Sequence, residues 1–341
     1  MVVTPSTLVV VQSPVHNTTV VQMPIPLIDY SPQRFAQWEM NRADDGTLVY
    51  SKYMKPATSI SRLVANTVSS GIILPIQAPF PNSSYSLNFY GPSISCVPAE
   101  PSLLGSVNST LRHKSGIIVY VGFVPDPPDR RNASDMTIDV LNGLNMTLQS
   151  ASTVAKLVTY DELSPTGHAR LFIATYSSGS SKDGQGKMPQ KLTECGLYNS
   201  SYAVDFNFTN NQQSVNVTKL TRLNGISYRT YLNFNATVQA TPGFFAGIVG
   251  CALMEALSKM LVGYLRAAST SDGWVNDGDI QIMNTVLMQA QELRQLYQPV
   301  GHKDVLPTTE PLSIRNMTIA EAIEDLSQNL TLSLFSNSYF L

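Results

Sequence analysis

Charged residues are scarce in this sequence. Of its 341 residues 13% are charged and the formal net charge is −2, whereas about 25% of the residues of an average soluble domain are charged. A chain with so little lysine and arginine has no electrostatic footprint for nucleic acid or for an anionic membrane surface. The composition therefore excludes nucleic acid as a partner. With so few charged side chains, the surface needs other polar groups, such as attached sugars, to keep the domain soluble.

Cysteine is scarce as well. The three cysteines, Cys96, Cys195 and Cys251, are too few for a disulfide framework and show neither a CxxC nor a Cys/His metal spacing. An oxidising compartment would permit one bridge. Cys251 lies in a long apolar segment predicted to be helical, whereas Cys96 and Cys195 both border predicted strands. We therefore predict a disulfide between Cys96 and Cys195; three unpaired thiols are the alternative.

Sequence signatures of catalysis are missing. There is no Gly-x-Ser-x-Gly elbow, no P-loop and no His-Glu-x-x-His zinc motif. A glycosidase would need two facing carboxylates, and nothing in the sequence gives a reason to pair any two. We predict no catalytic residue, no cofactor and no metal. The carboxylates considered for such a pair are Asp161, Glu162, Glu194 and Asp205.

What the sequence has in excess is the glycan acceptor triplet Asn-x-Ser/Thr. It occurs eleven times among 22 asparagines, although 64 Ser and Thr residues in 341 would place only about four there by chance. Glycans are attached to exposed acceptors in the secretory lumen, so we expect a domain on the extracellular or lumenal side. The predicted glycosylated residues are Asn17, Asn82, Asn108, Asn132, Asn145, Asn199, Asn207, Asn216, Asn235, Asn316 and Asn329.

A secretion signal does not accompany these triplets. The first residues, MVVTPSTLVVVQSP, contain no early lysine or arginine and are interrupted by Pro5 and Pro14, whereas a signal peptide needs a basic start and an unbroken apolar stretch. We therefore expect this chain to be a piece of a larger product or an incomplete gene model.

Residues 196–239 predict an antiparallel meander with one packed and one glycosylated face. Apolar residues alternate with polar ones from Tyr202 to Phe208, from Val215 to Val217 and from Leu232 to Val238. Successive side chains of a strand point to opposite faces, and the acceptors all have the parity opposite to the apolar residues. These acceptors are Asn199, Asn207, Asn216 and Asn235.

Other strands and one short helix are predicted before residue 196. Helical spacing runs from Ser59 to Ser70 and stops at Gly71. Alternation from Tyr85 predicts a strand that ends at Gly91-Pro92, and the apolar runs 116–124 and 171–176 predict central strands.

The C-terminal part is predicted to be helical. Apolar residues recur at helical spacing over 244–265 and again over 279–298, which predicts two helices. The capping box Thr318-x-x-Glu321 predicts the start of a third. The first is near the length of a membrane span, but acceptors lie on both sides of it, which favours a buried helix. The alternating tail over 329–336 predicts a closing strand.

These elements predict an α+β fold with an antiparallel β-rich body and a C-terminal set of two to three packed α-helices. We expect residues 1–341 to form a single extracellular domain. Within it, residues 1–240 are mainly β with one short helix, 241–328 are helical and 329–336 form the closing strand.

Two stretches resemble a known family. NSSYSLNFYGPSISC (82–96) and TECGLYNSSYAVDFNF (193–208) resemble paired segments of uncharacterised filamentous-fungal integral membrane proteins. The segment GIVGCALMEALSKMLVGYL and the end NLTLSLFSNSYFL are similar to that family's late helix and to the segment before its final membrane span. The resemblance implies membrane helices on both sides of a glycosylated extracellular region, and the family's two cysteines correspond to Cys96 and Cys195. It does not cover Cys251.

We therefore expect the ectodomain of a fungal membrane-anchored surface glycoprotein with a binding or structural role. The expected partner is an unknown protein or cell-wall carbohydrate, with the membrane reached through flanking segments absent from this chain. The alternative is a secreted or surface hydrolase that acts on cell-wall polysaccharide.

Overall fold

A computed structural model describes the greater part of the chain. The described residues are 7–12, 19–42, 44–45, 48–99, 101, 104–105, 107–108, 117–123, 170–175, 189–226, 231–233, 242–270, 273–278, 280–296 and 316–341. They form two antiparallel sheets and a small number of helices, which confirms the predicted α+β class.

The strands and helices follow one another with most of the helical residues in the C-terminal third. The strands are β1 (Thr7–Gln12), β2 (Thr19–Pro24), β3 (Ala36–Arg42), β4 (Leu48–Pro56), β5 (Ser83–Pro98), β6 (Ile117–Phe123), β7 (Arg170–Thr175), β8 (Lys191–Thr209), β9 (Gln212–Gly225), β10 (Tyr231–Asn233), β11 (Gly263–Thr270) and β12 (Gly273–Gly278). The helices are α1 (Pro32–Phe35), α2 (Thr58–Ser70), α3 (Pro242–Leu261), α4 (Ile280–Met283) and α5 (Ile319–Ser333). Short 3-10 turns cover Val286–Gln289, Gln291–Leu296, Leu334–Ser336 and Ser338–Phe340.

The large sheet is built around the long strand β8. Its order is β12-β11-β6-β7-β8-β5-β1-β2, and the small sheet has the order β10-β4-β3. Strand β5 pairs with β8 from Ser83 to Pro98. On the other side of β8, β7 pairs with its first residues and β9 with the rest. The predicted central strands are β6 and β7, which both lie inside the sheet.

The predicted meander is confirmed only for its first two strands. Strands β8 and β9 form a hairpin through Asn210 and Asn211, whose φ angles of 51° and 63° are in the left-handed region that asparagine tolerates. The predicted third strand, over 232–238, lies mostly outside the described residues. Its described start, β10, is a strand but pairs with β4 in the small sheet, so the predicted pairing of this strand was wrong. Alternation within a strand marks its faces but says nothing about its partner, because pairing is a non-local choice.

Helix α2 is the predicted short helix. Its buried side is Ile60, Leu63, Val64, Thr67 and Val68. It ends at Gly71, where φ is 68°, a conformation that glycine adopts without the steric cost of a side chain.

The strand predicted to end at Gly91-Pro92 runs on to Pro98, so that boundary was wrong. Beyond Ser84, the edge of β5 away from β8 pairs with no described strand. A proline is tolerated at such an edge because no ladder hydrogen bond is lost there. A Cβ at Gly91 would lie 2.7 Å from Thr331 Cγ2, so glycine lets α5 approach the strand.

The long apolar helix is confirmed as α3, which ends at Leu261 and not at residue 265. The following residues enter β11 at Gly263, whose φ is 150°. No helix in the described residues is long and apolar enough to cross a membrane. The predicted boundary was wrong because the apolar spacing continues past the helix end to Val262 and Leu265, which are buried where β11 begins.

The second predicted C-terminal helix, over 279–298, is wrong as a single helix. The described residues form α4 and two 3-10 turns. Thr285 is extended, with φ −110° and ψ 156°, and its hydroxyl donates to Ile282 O at 2.7 Å. A side chain that bonds the local backbone in this way competes with helix propagation.

The third helix begins as predicted and ends differently. Thr318 Oγ1 accepts from Glu321 N at 3.2 Å, and Glu321 Oε2 accepts from Thr318 N at 2.8 Å, which confirms the capping box. The predicted closing strand over 329–336 is wrong, since α5 continues to Ser333 and a 3-10 turn follows.

The tail is helical because it lies between two hydrophobic cores. Leu330 and Leu334 belong to the main core, which joins α2, α3 and α5 to the middle of the sheet. Leu332 and Phe335 belong to a smaller core beneath β5 and β8. All residues from 330 to 335 are therefore buried, and a helix buried on two sides can carry alternating leucines.

Candidate functional site

The most distinctive surface of the molecule is one face of the β5-β8-β9 part of the large sheet. Its opposite face is the smaller core, where Tyr85 stacks on Phe206 with ring centroids 4.8 Å apart and Phe89 stacks on Tyr202 at 5.1 Å. Phe335 meets Phe89 edge-on at 5.0 Å. Because these inner residues are packed in the core, the residues that alternate with them along each strand point outward. We call their side the outer face.

The outer face carries three acceptors. Asn207 and Asn216 are exposed and Asn199 is half-buried, whereas the β8 residues of the other parity, from Tyr202 to Phe208, are at most 3% exposed. The predicted parity is therefore confirmed for these three acceptors; whether they carry glycans stays a prediction. Their surroundings are polar, with Ser86 Oγ donating to Asp205 Oδ1 at 2.5 Å.

Four further acceptors lie outside the described residues. They are Asn17, Asn132, Asn145 and Asn235.

Two other acceptors use their oxygen atom in the fold. Asn82 Oδ1 accepts from Asn210 N at 2.8 Å, and Asn316 Oδ1 accepts from Gln291 Nε2 at 2.7 Å. A glycan is joined to the nitrogen of the amide, and neither of these bonds uses that atom.

At Asn108 and Asn329 the nitrogen itself is used. Asn108 Nδ2 donates to Pro189 O at 2.9 Å. Asn329 Nδ2 donates to Gly71 O at 3.1 Å, so it caps the end of α2. In the same triplet Thr331 is buried, and its hydroxyl donates to Pro92 O at 2.6 Å. Both polar side chains of the triplet at Asn329 therefore hold α5 to its neighbours.

The disulfide joins β5 and β8, two of the strands that form the outer face. Cys96 and Cys195 are directly opposed in the β5–β8 pair, with a Cα–Cα distance of 4.0 Å and an S–S bond, which confirms the predicted pair. Cross-strand Cα atoms come closest at positions that do not exchange backbone hydrogen bonds. The N–H of Cys96 accordingly points away from β8.

Glu324 of α5 receives that N–H. Its Oε1 accepts from Cys96 N at 2.6 Å and its Oε2 from Arg222 Nη2 at 2.9 Å. One turn further on, Ser327 Oγ accepts from Ile94 N at 3.0 Å. Helix α5 thus covers the free edge of β5 with side-chain acceptors, which protects an otherwise unpaired strand edge. No sequence motif indicated this contact, since its members are far apart in the chain.

The tyrosine hydroxyls beneath the sheet are structural. Tyr202 Oη donates to Pro92 O and Tyr120 Oη to Leu261 O, both at 2.6 Å. Burial raises the pKa of Tyr202 and Tyr120 above the usual range, and it raises the pKa of Tyr85 to about 12. All three side chains are therefore neutral at physiological pH, and Tyr202 and Tyr120 use their hydroxyls to donate hydrogen bonds to buried carbonyl groups.

Two small cavities lie among the described residues. One lies between the end of α2, the turn at Val286 and α5, and another lies between α3, α5 and β5; each has a volume of about 10 Å³. Such a volume holds about one water molecule, whereas small-molecule sites measure about 300–1,000 Å³. Neither cavity can hold a sugar substrate.

The carboxylates considered for a glycosidase are not brought together. Glu194 and Asp205 lie on the same strand, β8, eleven residues apart, which corresponds to about 36 Å at 3.3 Å per residue. Their parities are opposite, so they also point to different faces. Asp161 and Glu162 are outside the described residues. Among the described residues there is no group of three or more His, Cys, Asp or Glu side chains that could hold a metal ion.

Fold and site together define an α+β protein with a cross-strand disulfide and a polar, asparagine-rich sheet face. No family model, curated protein or solved structure matches the chain.

Proposed function

We propose that this chain is the extracellular or lumenal region of a membrane-anchored surface glycoprotein, fungal by its resemblance, that acts by binding or as a structural element. The observation that carries the proposal is the division of the β8–β9 hairpin. The inner face is buried and largely aromatic on β8 and half-buried and aliphatic on β9, while the solvent face presents Asn199, Asn207 and Asn216 in acceptor triplets. Sugars on this face would supply the polarity that the low charge content does not.

The disulfide supports the compartment. A bond between Cys96 and Cys195 is compatible with an extracellular or secretory location, because disulfides persist in oxidising compartments and are rare in the cytosol. Membrane attachment is proposed on the resemblance alone, through segments outside this chain. A protein or a cell-wall carbohydrate is the proposed partner.

The contacts of the acceptors divide them into two groups. We expect glycans on Asn199, Asn207 and Asn216, and on Asn82 and Asn316, whose amide nitrogens the described hydrogen bonds leave unused. A glycan on Asn329 would have to fit between α5 and the end of α2, so we expect this residue to be unmodified in the folded protein. We expect the same of Asn108, whose amide nitrogen donates to Pro189 O.

The test is a site-resolved glycan map of the full chain secreted from a eukaryotic host behind an added signal peptide. Peptide mass spectrometry before and after enzymatic glycan removal should show occupancy at Asn207 and Asn216 and none at Asn329. Asn207→Gln should remove one glycan, while the control Asn88→Gln, an exposed outer-face asparagine outside any triplet, should remove none. A secreted, folded protein with no glycan at any acceptor would refute the proposal.

A further inference from the structure

Tyr90 is an anomaly of the outer face. Its side chain is 64% exposed, the largest value for a large hydrophobic side chain in the described residues. Its neighbours on β5 of the same parity, Ser86 and Asn88, are polar and exposed, while Tyr85 and Phe89 of the other parity are each 8% exposed. An aromatic ring left in water forgoes the free energy that burial of its apolar surface would provide.

The sheet register places one acceptor beside this ring. Tyr90 is directly opposite Ser201, and Pro92 is directly opposite Asn199. Asn199 and Tyr90 are therefore diagonal neighbours on the same face of an antiparallel pair. Such residues are separated by about 7–8 Å, less between Cβ atoms, which is within reach of an aromatic side chain.

The side chains around the ring are too short to cover it. The residue opposite Tyr90 is Ser201, which is half-buried, and the next one across the sheet is Thr221, which is exposed. A ligand attached at Asn199 would find the ring free on its solvent side.

We propose that Tyr90 is the binding platform for the first sugars of a glycan carried by Asn199. This inference rests on the proposed function, because it requires the acceptor to be modified. The ligand class is an N-linked oligosaccharide, whose pyranose rings have an apolar C–H face that packs on an aromatic ring. Covalent attachment one diagonal step away gives these sugars a high effective concentration at Tyr90, so they occupy the ring ahead of any free carbohydrate.

The acceptor at Asn207 provides an internal control. Its direct cross-strand neighbours are Ser84 on β5 and Ser214 on β9, so no aromatic ring is directly opposite it on the outer face. The two acceptors share a strand and a face. Asn207 is also the more exposed of the two, so the effect of the ring itself is measured by comparing Tyr90 variants at Asn199, with Asn207 as the internal reference.

The experiment follows glycan release from the native full chain by an enzyme that cuts within the first two sugars, resolved by site. We expect release from Asn199 to be several-fold slower than from Asn207 in the wild type. Tyr90→Ala should accelerate release at Asn199 to the rate at Asn207 and leave Asn207 unchanged, which also shows that the variant is folded. Tyr90→Phe, which keeps the ring, should retain the slow release.

The outcomes separate the two proposals. If neither Asn199 nor Asn207 carries a glycan, the proposed function fails. If Asn207 is modified and Asn199 is not, or if Tyr90→Ala and Tyr90→Phe release the Asn199 glycan at the same rate, the proposed function stands and the platform is refuted.

Discussion

At the scale of single residues, Gly71 is a position where only glycine fits, and it is also a point of contact between helices. Gly71 ends α2 in the left-handed conformation, and a Cβ there would overlap with Val286 Cγ1. Asn329 from α5 donates to the carbonyl of this same glycine. Three elements that are distant in sequence therefore meet at Gly71.

We predict that Gly71→Ala destabilises the protein by about 2–5 kcal/mol, the sum of the left-handed cost for a residue with a Cβ and of local overpacking. Urea unfolding followed by circular dichroism measures the loss. The matched control is Gly105→Ala, where an added Cβ meets no atom within 4 Å and the change should be within about 0.5 kcal/mol. Equal stability of the two variants would contradict the close packing at Gly71.

The sequence predicted Gly71 correctly because a helix stop is a local signal: a helical apolar spacing followed by glycine. It could not predict Asn329 as the residue that caps the same carbonyl. The triplet at Asn329 has the form of a glycan acceptor, and its packing depends on where α5 lies in the fold.

At the scale of elements, α5 is the helix on which the sheet edge and both cores depend. Its Glu324 and Ser327 accept from backbone N–H groups of β5, and its last turns supply leucines to the main core and the smaller core. A strand over 329–336 would have turned Thr331 and Ser333 toward solvent. In the helix both are buried.

Ser333→Asp distinguishes these two conformations. Ser333 is 0% exposed, its Oγ accepts from Leu74 N at 2.9 Å, and the same hydroxyl donates to Asn329 O at 2.6 Å. A carboxylate in this buried position is expected to cost about 2–5 kcal/mol, measured by thermal or urea unfolding. Ser338→Asp, at an exposed position, is the control and should be nearly neutral. If Ser333→Asp were equally neutral, the tail would not be a buried helix.

At the scale of the whole molecule, the disulfide links the two halves of the large sheet. The sequence separation of Cys96 and Cys195 is 99 residues, and the bond closes a loop that contains β6 and β7. In the chain-entropy account, closing a loop of this size raises the free energy of the unfolded state by about 4–5 kcal/mol and so stabilises the folded protein.

We predict that the double variant Cys96→Ser, Cys195→Ser unfolds at a lower urea concentration than the oxidised wild type, with a loss of about 4–5 kcal/mol by that account. The wild type kept in reductant is the matched control and should behave like the double variant. Thiol titration of the unfolded, unreduced wild type should find one free thiol among the three cysteines. Three free thiols would show that the bond does not form.

The sequence by itself determined the features that depend on neighbours along the chain. These are the α2 stop at Gly71, the capping box at Thr318, the two faces of β8 and β9, and the sparing use of charge and cysteine. Each follows from a periodicity or a short pattern, because side-chain direction in a helix or strand repeats with residue number.

Only the tertiary structure decided which elements meet. It placed β10 beside β4 and extended β5 past Gly91-Pro92 to Pro98. It made the tail helical, because the tail is buried between two cores. It also joined Glu324 to Arg222 and Cys96 N and brought Tyr90 diagonally beside Asn199. These contacts lie between residues far apart in sequence, and their free energies depend on burial and geometry that no local pattern records.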